Sequence, residues 1–212
     1  LCEGRDFMKL VQGNLLQINE VARLYLAAFP ESVKYFFPHP LPLRILKVIS
    51  SGFALLLVNG GRLVLAKNEA NQIIGYCIYS KPSPKRWPTA LTPQYLSDTI
   101  RYSLASITNL RPRESWRLTK NKWAFVHNIR MDFQPPKKSG RIHSIAVDPQ
   151  AQGLGIGTKL LKYALAELQS TPVLLEVRAD NESAKVLYTR LGFKYYGQTE
   201  DFLGTWLMML KS

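Results

Sequence analysis

The stretch Ile145-Ala146-Val147-Asp148-Pro149-Gln150-Ala151-Gln152-Gly153-Leu154-Gly155-Ile156-Gly157-Thr158 is where this sequence offers chemistry. An apolar run ends at Asp-Pro, three alternate glycines follow, and a helical pattern begins. Glycine tolerates positive φ and lets a ligand approach the backbone, while a helix start carries unpaired N–H groups at the positive end of its dipole. That combination binds phosphate or diphosphate. The helix behind it is regular, with Leu160, Leu161, Ala164, Leu165 and Leu168 on an inward stripe and Lys159, Lys162 and Glu167 outside. Two familiar nucleotide loops do not fit. A P-loop requires G-x-x-x-x-G-K-[ST], which Gly157-Thr158-Lys159 does not supply. A dinucleotide fingerprint places its glycines directly after the strand, whereas residues 148–152 intervene here. Glu176 stands at the distance of a ribose-binding acid, but too little chain follows it to complete a doubly wound sheet.

A second block, Asn181-Glu182-Ser183-Ala184-Lys185-Val186-Leu187-Tyr188-Thr189-Arg190-Leu191-Gly192-Phe193, follows after one further strand pattern. Together the two blocks resemble the GNAT superfamily of acyl-CoA-dependent N-acetyltransferases. Gln150-Ala151-Gln152-Gly153-Leu154-Gly155 is similar to that family's [Q/R]-x-x-G-x-[G/A] loop, and the second block to its N-x-x-A-x-x-L-Y-x-x-x-G-F signature. The resemblance covers residues 141–210 closely and residues 8–79 by element order, and is absent over residues 80–139. It implies a mixed, mostly antiparallel α/β (α+β) sheet flanked by helices, with acetyl-CoA in a cleft where the fourth and fifth strands splay apart. Main-chain N–H groups of Gln152, Gly153, Leu154, Gly155, Ile156, Gly157 and Thr158 would hold the pyrophosphate. The backbone of Ile145, Ala146 and Val147 would bind the pantetheine like an added strand.

The resemblance also makes Tyr188 the general acid for the departing CoA thiolate, a role open to a phenol, whose pKa is about 10. On periodicity alone Tyr188, beside Leu187 and Leu191, reads as a packing aromatic. Asn181 is a natural N-cap for the same helix, and the resemblance adds a contact with CoA; both roles can hold. His143 lies two residues before Ile145, so strand alternation aims it at the face of Ile145 and Val147. A histidine titrating near pH 6.5 could take the proton of an ammonium acceptor. It is similar to a strand histidine of the serotonin N-acetyltransferase branch, although many relatives use a glutamate or water. Gly192 reads as a helix C-cap.

The elements that position these residues form one expected domain, residues 1–212. A chain of 212 residues accommodates one domain with an insertion, and 46% hydrophobic with 20% charged residues is a globular composition. Apolar spacing predicts a helix over residues 14–29 that Pro30 stops, and a second helix over 43–53. Strands over 62–67 and 72–79 form a hairpin. A helix over 93–110 carries Leu96, Ile100, Leu104, Ile107 and Leu110 near one face, followed by a basic run to Lys122, an apolar patch at 123–129 and a loop at 134–140. Residues 80–139 therefore read as an insertion. Strand 142–147, helix 158–169, strand 173–178, helix 182–191 and strands 193–197 and 205–210 complete a mixed architecture.

Composition narrows the function classes. Cys2 and Cys77 cannot make a disulfide framework or a cysteine-rich zinc site. His39, His127 and His143 lack metal-ligand spacing, so chemistry without a metal is expected. No apolar run reaches the length of a spanning helix, and the first residues lack secretory signal features, which makes the cytoplasm the expected compartment. The net charge is +13, and residues 81–141 hold thirteen Lys/Arg against three acids. A polyanionic partner would be drawn there. Trp87, Tyr95, Tyr102, Trp116 and Trp123 interleave with the charges, as in nucleic-acid grooves, but no nucleic-acid motif accompanies them. The expected role of the insertion is to cover the acceptor side of the cleft. The function expected is acetyl transfer from acetyl-CoA to a small-molecule or peptide amine; the alternatives are a non-catalytic acyl-CoA-binding module and a nucleic-acid-binding protein.

Overall fold

The computed structural model describes residues 8–38, 42–82, 92–169 and 171–212. Cys2, His39 and Trp87 lie outside the described residues, as does most of the proline-rich stretch before residue 92. Eight strands form a single sheet: β1 (Met8–Gly13), β2 (Gly61–Asn68), β3 (Ile73–Ser80), β4 (Arg130–Met131), β5 (Gly140–Val147), β6 (Val173–Arg178), β7 (Lys194–Asp201) and β8 (Gly204–Lys211). Their order is β1-β2-β3-β5-β6-β8-β7-β4, and every neighbouring pair is antiparallel except β5 with β6. The short β4 moves the expected fourth and fifth strands to β5 and β6. The helices are α1 (Ile18–Ala28), α2 (Pro30–Phe36), α3 (Pro42–Val58), α4 (Pro93–Thr108), α5 (Pro112–His127), α6 (Ile156–Leu168) and α7 (Glu182–Arg190).

Residues 63–66 of β2 and 75–79 of β3 are buried on both faces of the sheet, which explains why their sequences are continuous apolar runs. Alternation sends Val64, Ala66, Cys77, Tyr79 and Ile142 to one face, where Leu160, Leu161, Ala164 and Leu168 of α6 cover them. Leu63, Leu65, Tyr76, Ile78 and Ala146 point to the other, against Val21, Ala22 and Leu24 of α1 and Phe53 and Ala54 of α3. Fully burying one such aliphatic side chain stabilises the fold by about 1.5–3 kcal/mol. The sheet is therefore fixed from both sides, and β5 is held rigidly along its β3 edge.

Several elements depart from the sequence reading. Residues 8–13 form β1, paired with β2 from Met8↔Asn68 to Gly13↔Leu63. Pro30 ends α1 but also opens α2, since proline suits the first turn of a helix. The basic run and the apolar patch after Arg111 are one helix, α5, whose half-buried side holds Phe125 against Trp206 of β8. Thr199 of β7 donates its hydroxyl proton to the Phe125 carbonyl. Asn121 Nδ2 donates to Asp201 at 3.1 Å. On the opposite side Arg44 of α3 grips Glu114 with two hydrogen bonds of 2.6 Å and donates to the Asn109 carbonyl at 2.7 Å. These bonds fasten α5 to α3 on one side and to β7 on the other.

Candidate active site

The parallel pair β5 and β6 is joined at only two positions, Gly140↔Val173 and Arg141↔Leu174. Beyond them the strands part, although β5 continues to pair with β3 up to Val147 and β6 with β8 up to Arg178. A fork therefore opens in the middle of the sheet. Backbone N–H and C=O groups of β5 on its β6 side lack a strand partner there, and buried backbone groups require one. An extended chain laid into the fork would satisfy them.

The glycine loop stands at the wide end of this fork. Asp148 accepts from the Gln150 amide at 2.9 Å and starts a short 3-10 turn, and Gln152 reaches back toward the Val147 carbonyl. Gly153 and Gly155 have φ of +81° and +74°, values that ordinary side chains rarely adopt. Gly155 is the N-cap of α6 and provides no side-chain cap. The first backbone bond of the helix runs from the Lys159 amide to the Gly155 carbonyl at 3.1 Å, so the amides of Ile156, Gly157 and Thr158 precede the helix's own bonding. Open space adjoins the Cα atoms of Gly153 and Gly155. The donor set and the room beside it fit a diphosphate.

Gly157 marks where three elements meet: a Cβ there would lie 3.4 Å from Leu187 of α7 and 3.8 Å from Val147 of β5. Tyr188 follows Leu187 and is buried, its ring 5.9 Å from that of Phe193. Burial, with the Cys77 thiol close by, holds the Tyr188 phenol well above its ordinary pKa, so it stays protonated at neutral pH. Asn181 caps α7, accepting from the Ala184 amide and the Ser183 hydroxyl, both at 3.1 Å.

His143 is displaced from the alternation that the sequence implied. The register with β3 slips between Ile78↔Ser144 and Tyr79↔Ile142, leaving His143 as the extra residue of a β-bulge. Ile142, not His143, joins Ile145 and Val147 against α6. The His143 ring instead exchanges a hydrogen bond of 2.9 Å with Ser80. Surrounding protein and the nearby Arg141 cation lower its pKa, which favours the neutral imidazole.

A carboxylate that the sequence reading had considered only for a ribose contact completes the fork. Glu176 of β6 bonds to Arg141 of β5 where the ladder ends. Burial raises its pKa despite the opposing influence of Arg141 and of Lys122 from α5. Val173, Leu175 and Val177 turn to the opposite, α6-facing core, so Glu176 lies on the side of the sheet that α5 covers. The signal was available in the sequence: Glu176 is the one acid in an apolar alternating strand.

A groove of about 230 Å³ lies at the C-terminal end of β6, lined by residues 28–32 of the α1–α2 junction together with Arg178, Asp180 and Leu203. A second cavity, about 380 Å³, lies between Gly13, Leu57 and Tyr95, remote from the fork and from the residues just described. The smaller one adjoins β6, the strand that carries Glu176. Among the described residues no group of three or more His, Cys, Asp or Glu side chains could hold a metal ion, and no helix is long and apolar enough to cross a membrane.

The sequence model of the acetyltransferase (GNAT) family matches residues 18–193. The chain belongs to that family. Solved GNAT-type structures share its fold: an N-acetyltransferase from Staphylococcus aureus Mu50 superposes with a TM-score of 0.62 at 18% identity, covering 95% of this chain and 99% of that one. The ribosomal-protein-S18-alanine N-acetyltransferase of Escherichia coli gives 0.56 at 16% identity, covering 96% and 92%. Among curated proteins, the N-alpha-acetyltransferase RimI of Mycobacterium tuberculosis is 46% identical over 56 residues, 26% of this chain and 35% of that protein. A mycothiol acetyltransferase of Geodermatophilus obscurus is 39% identical over 80 residues, 36% and 25% of the two chains. The matches thus span about a third or less of these relatives.

Proposed function

We propose that this GNAT acetyltransferase moves the acetyl group of acetyl-CoA to an amine, and that its 212 residues act as one domain with residues 80–139 covering the acceptor side. The observation that carries this reading is the fork between β5 and β6 with the uncapped start of α6 at its wide end. Acetyl-CoA, when bound, supplies an acetyl group activated as a thioester. The amides of residues 152–158 hold its diphosphate, and the main chain of Ile145, Ala146 and Val147 takes its pantetheine arm as an added strand. Asn181 contributes a polar contact while capping α7.

Proton transfers fall to groups on either side of the fork. Glu176, with its raised pKa and its place on the α5 side, is the favoured base for the acceptor ammonium; His143, neutral at physiological pH, is the second. A β5 amide facing the fork stabilises negative charge gathering on the acyl oxygen. The Tyr188 Oη gives its proton to the departing sulfur, a proton that burial keeps on the phenol at neutral pH. The groove at the end of β6, with Glu31 and Asp180 in its lining, suits a cationic acceptor. Relatives named N-alpha-acetyltransferase and mycothiol acetyltransferase leave both a peptide amine and a small amine within this class.

Thiol release from acetyl-CoA, followed across a panel of peptide N-termini, amino sugars and small amines, tests the proposal. Turnover with at least one amine, depressed by Glu31→Lys through a higher acceptor KM, is expected. Acetyl-CoA binding without turnover of any acceptor would leave a non-catalytic acyl-CoA module instead.

A further inference from the structure

Helix α4 is inside out. Leu96, Ile100, Leu104 and Ile107, spaced to share one face, are 43%, 58%, 55% and 68% exposed. The half-buried side that contacts α3 carries Tyr95, Asp98, Thr99, Tyr102 and Ala105. An amphipathic helix normally does the reverse, because burying its aliphatic stripe is what holds it in place. The outer side of α5 is similar in kind. Trp116 and Trp123 are 64% and 61% exposed, and the Lys120 ammonium lies 5.9 Å from the Trp116 ring and 5.1 Å from that of Phe202, itself exposed at the β7–β8 turn. Arg113 is exposed on the same helix, as are Arg117, which also donates to the Tyr35 carbonyl at 2.7 Å, and Lys122, which lies 5.3 Å from the Phe125 ring.

Charge and side-chain type decide what covers these helices. Together α4 and α5 carry Arg101, Arg113, Arg117, Lys120 and Lys122 against Asp98 and Glu114, and Glu114 is neutralised by Arg44, so their partner is anionic. Two copies of a surface with this charge balance repel one another, which disfavours a second copy. The α4 stripe offers no ring for a base to stack on, and the Trp123 ring of α5 is already stacked on His127 at 4.3 Å, which disfavours nucleic acid. Leu and Ile beside Trp, Lys and Arg are the residues that sit at the boundary between lipid headgroups and acyl chains.

We propose that α4 and the outer side of α5 dock this protein onto an anionic lipid surface, the α4 stripe entering the headgroup boundary and the α5 cations pairing with lipid phosphates. The proposal is independent of acetyl transfer and has its own readout. The full 212-residue chain is sedimented with vesicles of phosphatidylcholine alone and of phosphatidylcholine mixed with phosphatidylglycerol, at low and high salt. Partition onto the mixed vesicles at least about tenfold stronger than onto neutral ones, and weakened by salt, is expected. The double variant Ile100→Glu and Leu104→Glu, at exposed sites, should lower that partition at least about tenfold while its Tm and acetyl-CoA affinity stay unchanged. Lys120→Glu with Arg113→Glu should lower it as well. No partition, equal partition onto both vesicles, or partition indifferent to the α4 variant would overturn the proposal. So would a dimer in solution that the α4 variant dissociates, or binding to a single-stranded oligonucleotide without binding to vesicles.

Discussion

Replacing Gly155 separates the geometry of the loop from its charge. At φ +74° any L side chain adopts the left-handed region at a cost of about 1–2 kcal/mol. No heavy atom lies within 4 Å of the position its Cβ would take, so no steric clash adds to that strain. Gly155→Ala and Gly155→Glu should therefore both fold, with Tm lower by about 3–6 °C. Their ligand binding should differ. A carboxylate about 5 Å from a phosphate charge, at an effective dielectric constant near 20, repels it by about 3 kcal/mol, which is more than a hundredfold in affinity. Calorimetric titration with acetyl-CoA should accordingly give a modest loss for the alanine variant and at least about a hundredfold loss for the glutamate. Equal affinity of both variants, with the expected fall in Tm, would refute the placement of the diphosphate over this loop.

Tyr188→Phe should lower kcat by about a hundredfold or more with little change in the KM for acetyl-CoA; an unaltered kcat would return Tyr188 to a packing role. If Glu176 is the base, kcat/KM should rise with pH along a limb lying above the ordinary carboxylate range of about 4.3, because burial raises its pKa. Glu176→Gln should then remove that limb while His143→Ala preserves it, and the opposite pattern would make His143 the base. Arg44→Met leaves Glu114, 4% exposed at its side chain, without its partner and should cost about 3–5 kcal/mol in urea unfolding. Since Arg44 holds the Glu114 carboxyl below its usual range, that stabilisation is present above the unfolded carboxylate pKa of about 4.3 and is lost as pH falls through the lower folded value. The gap between wild type and Glu114→Gln should narrow in acid, and a gap constant with pH would contradict the pairing.

The part of the fold proposed to bind acetyl-CoA was the most legible in the sequence. Alternation and glycine placement announce the strand ending at Val147, the positive-φ turn and α6, because each is dictated by neighbours a few residues away. The β1 strand was not evident: six residues pair with β2, fifty to sixty positions distant, and carry too little apolar pattern of their own. For α5, basic and apolar residues split a single period between two segments that read as unrelated. Its anchors, Thr199 to Phe125 and Arg44 to Glu114, join residues about seventy positions apart. The site shows the same division. The uncapped amides of α6 follow from local sequence, whereas the bulge at His143 and the pairing of Glu176 with Arg141 depend on how strands meet.

The central claim is that the fork between β5 and β6 takes acetyl-CoA as an added strand with its diphosphate on the α6 amides. Amide hydrogen exchange, resolved by residue with and without acetyl-CoA, tests it most directly. Slower exchange concentrated at residues 144–147 and 152–158 is predicted, with the paired strands β1 and β2 unaffected. Protection elsewhere on the protein, with these amides exchanging as freely as before, would contradict it.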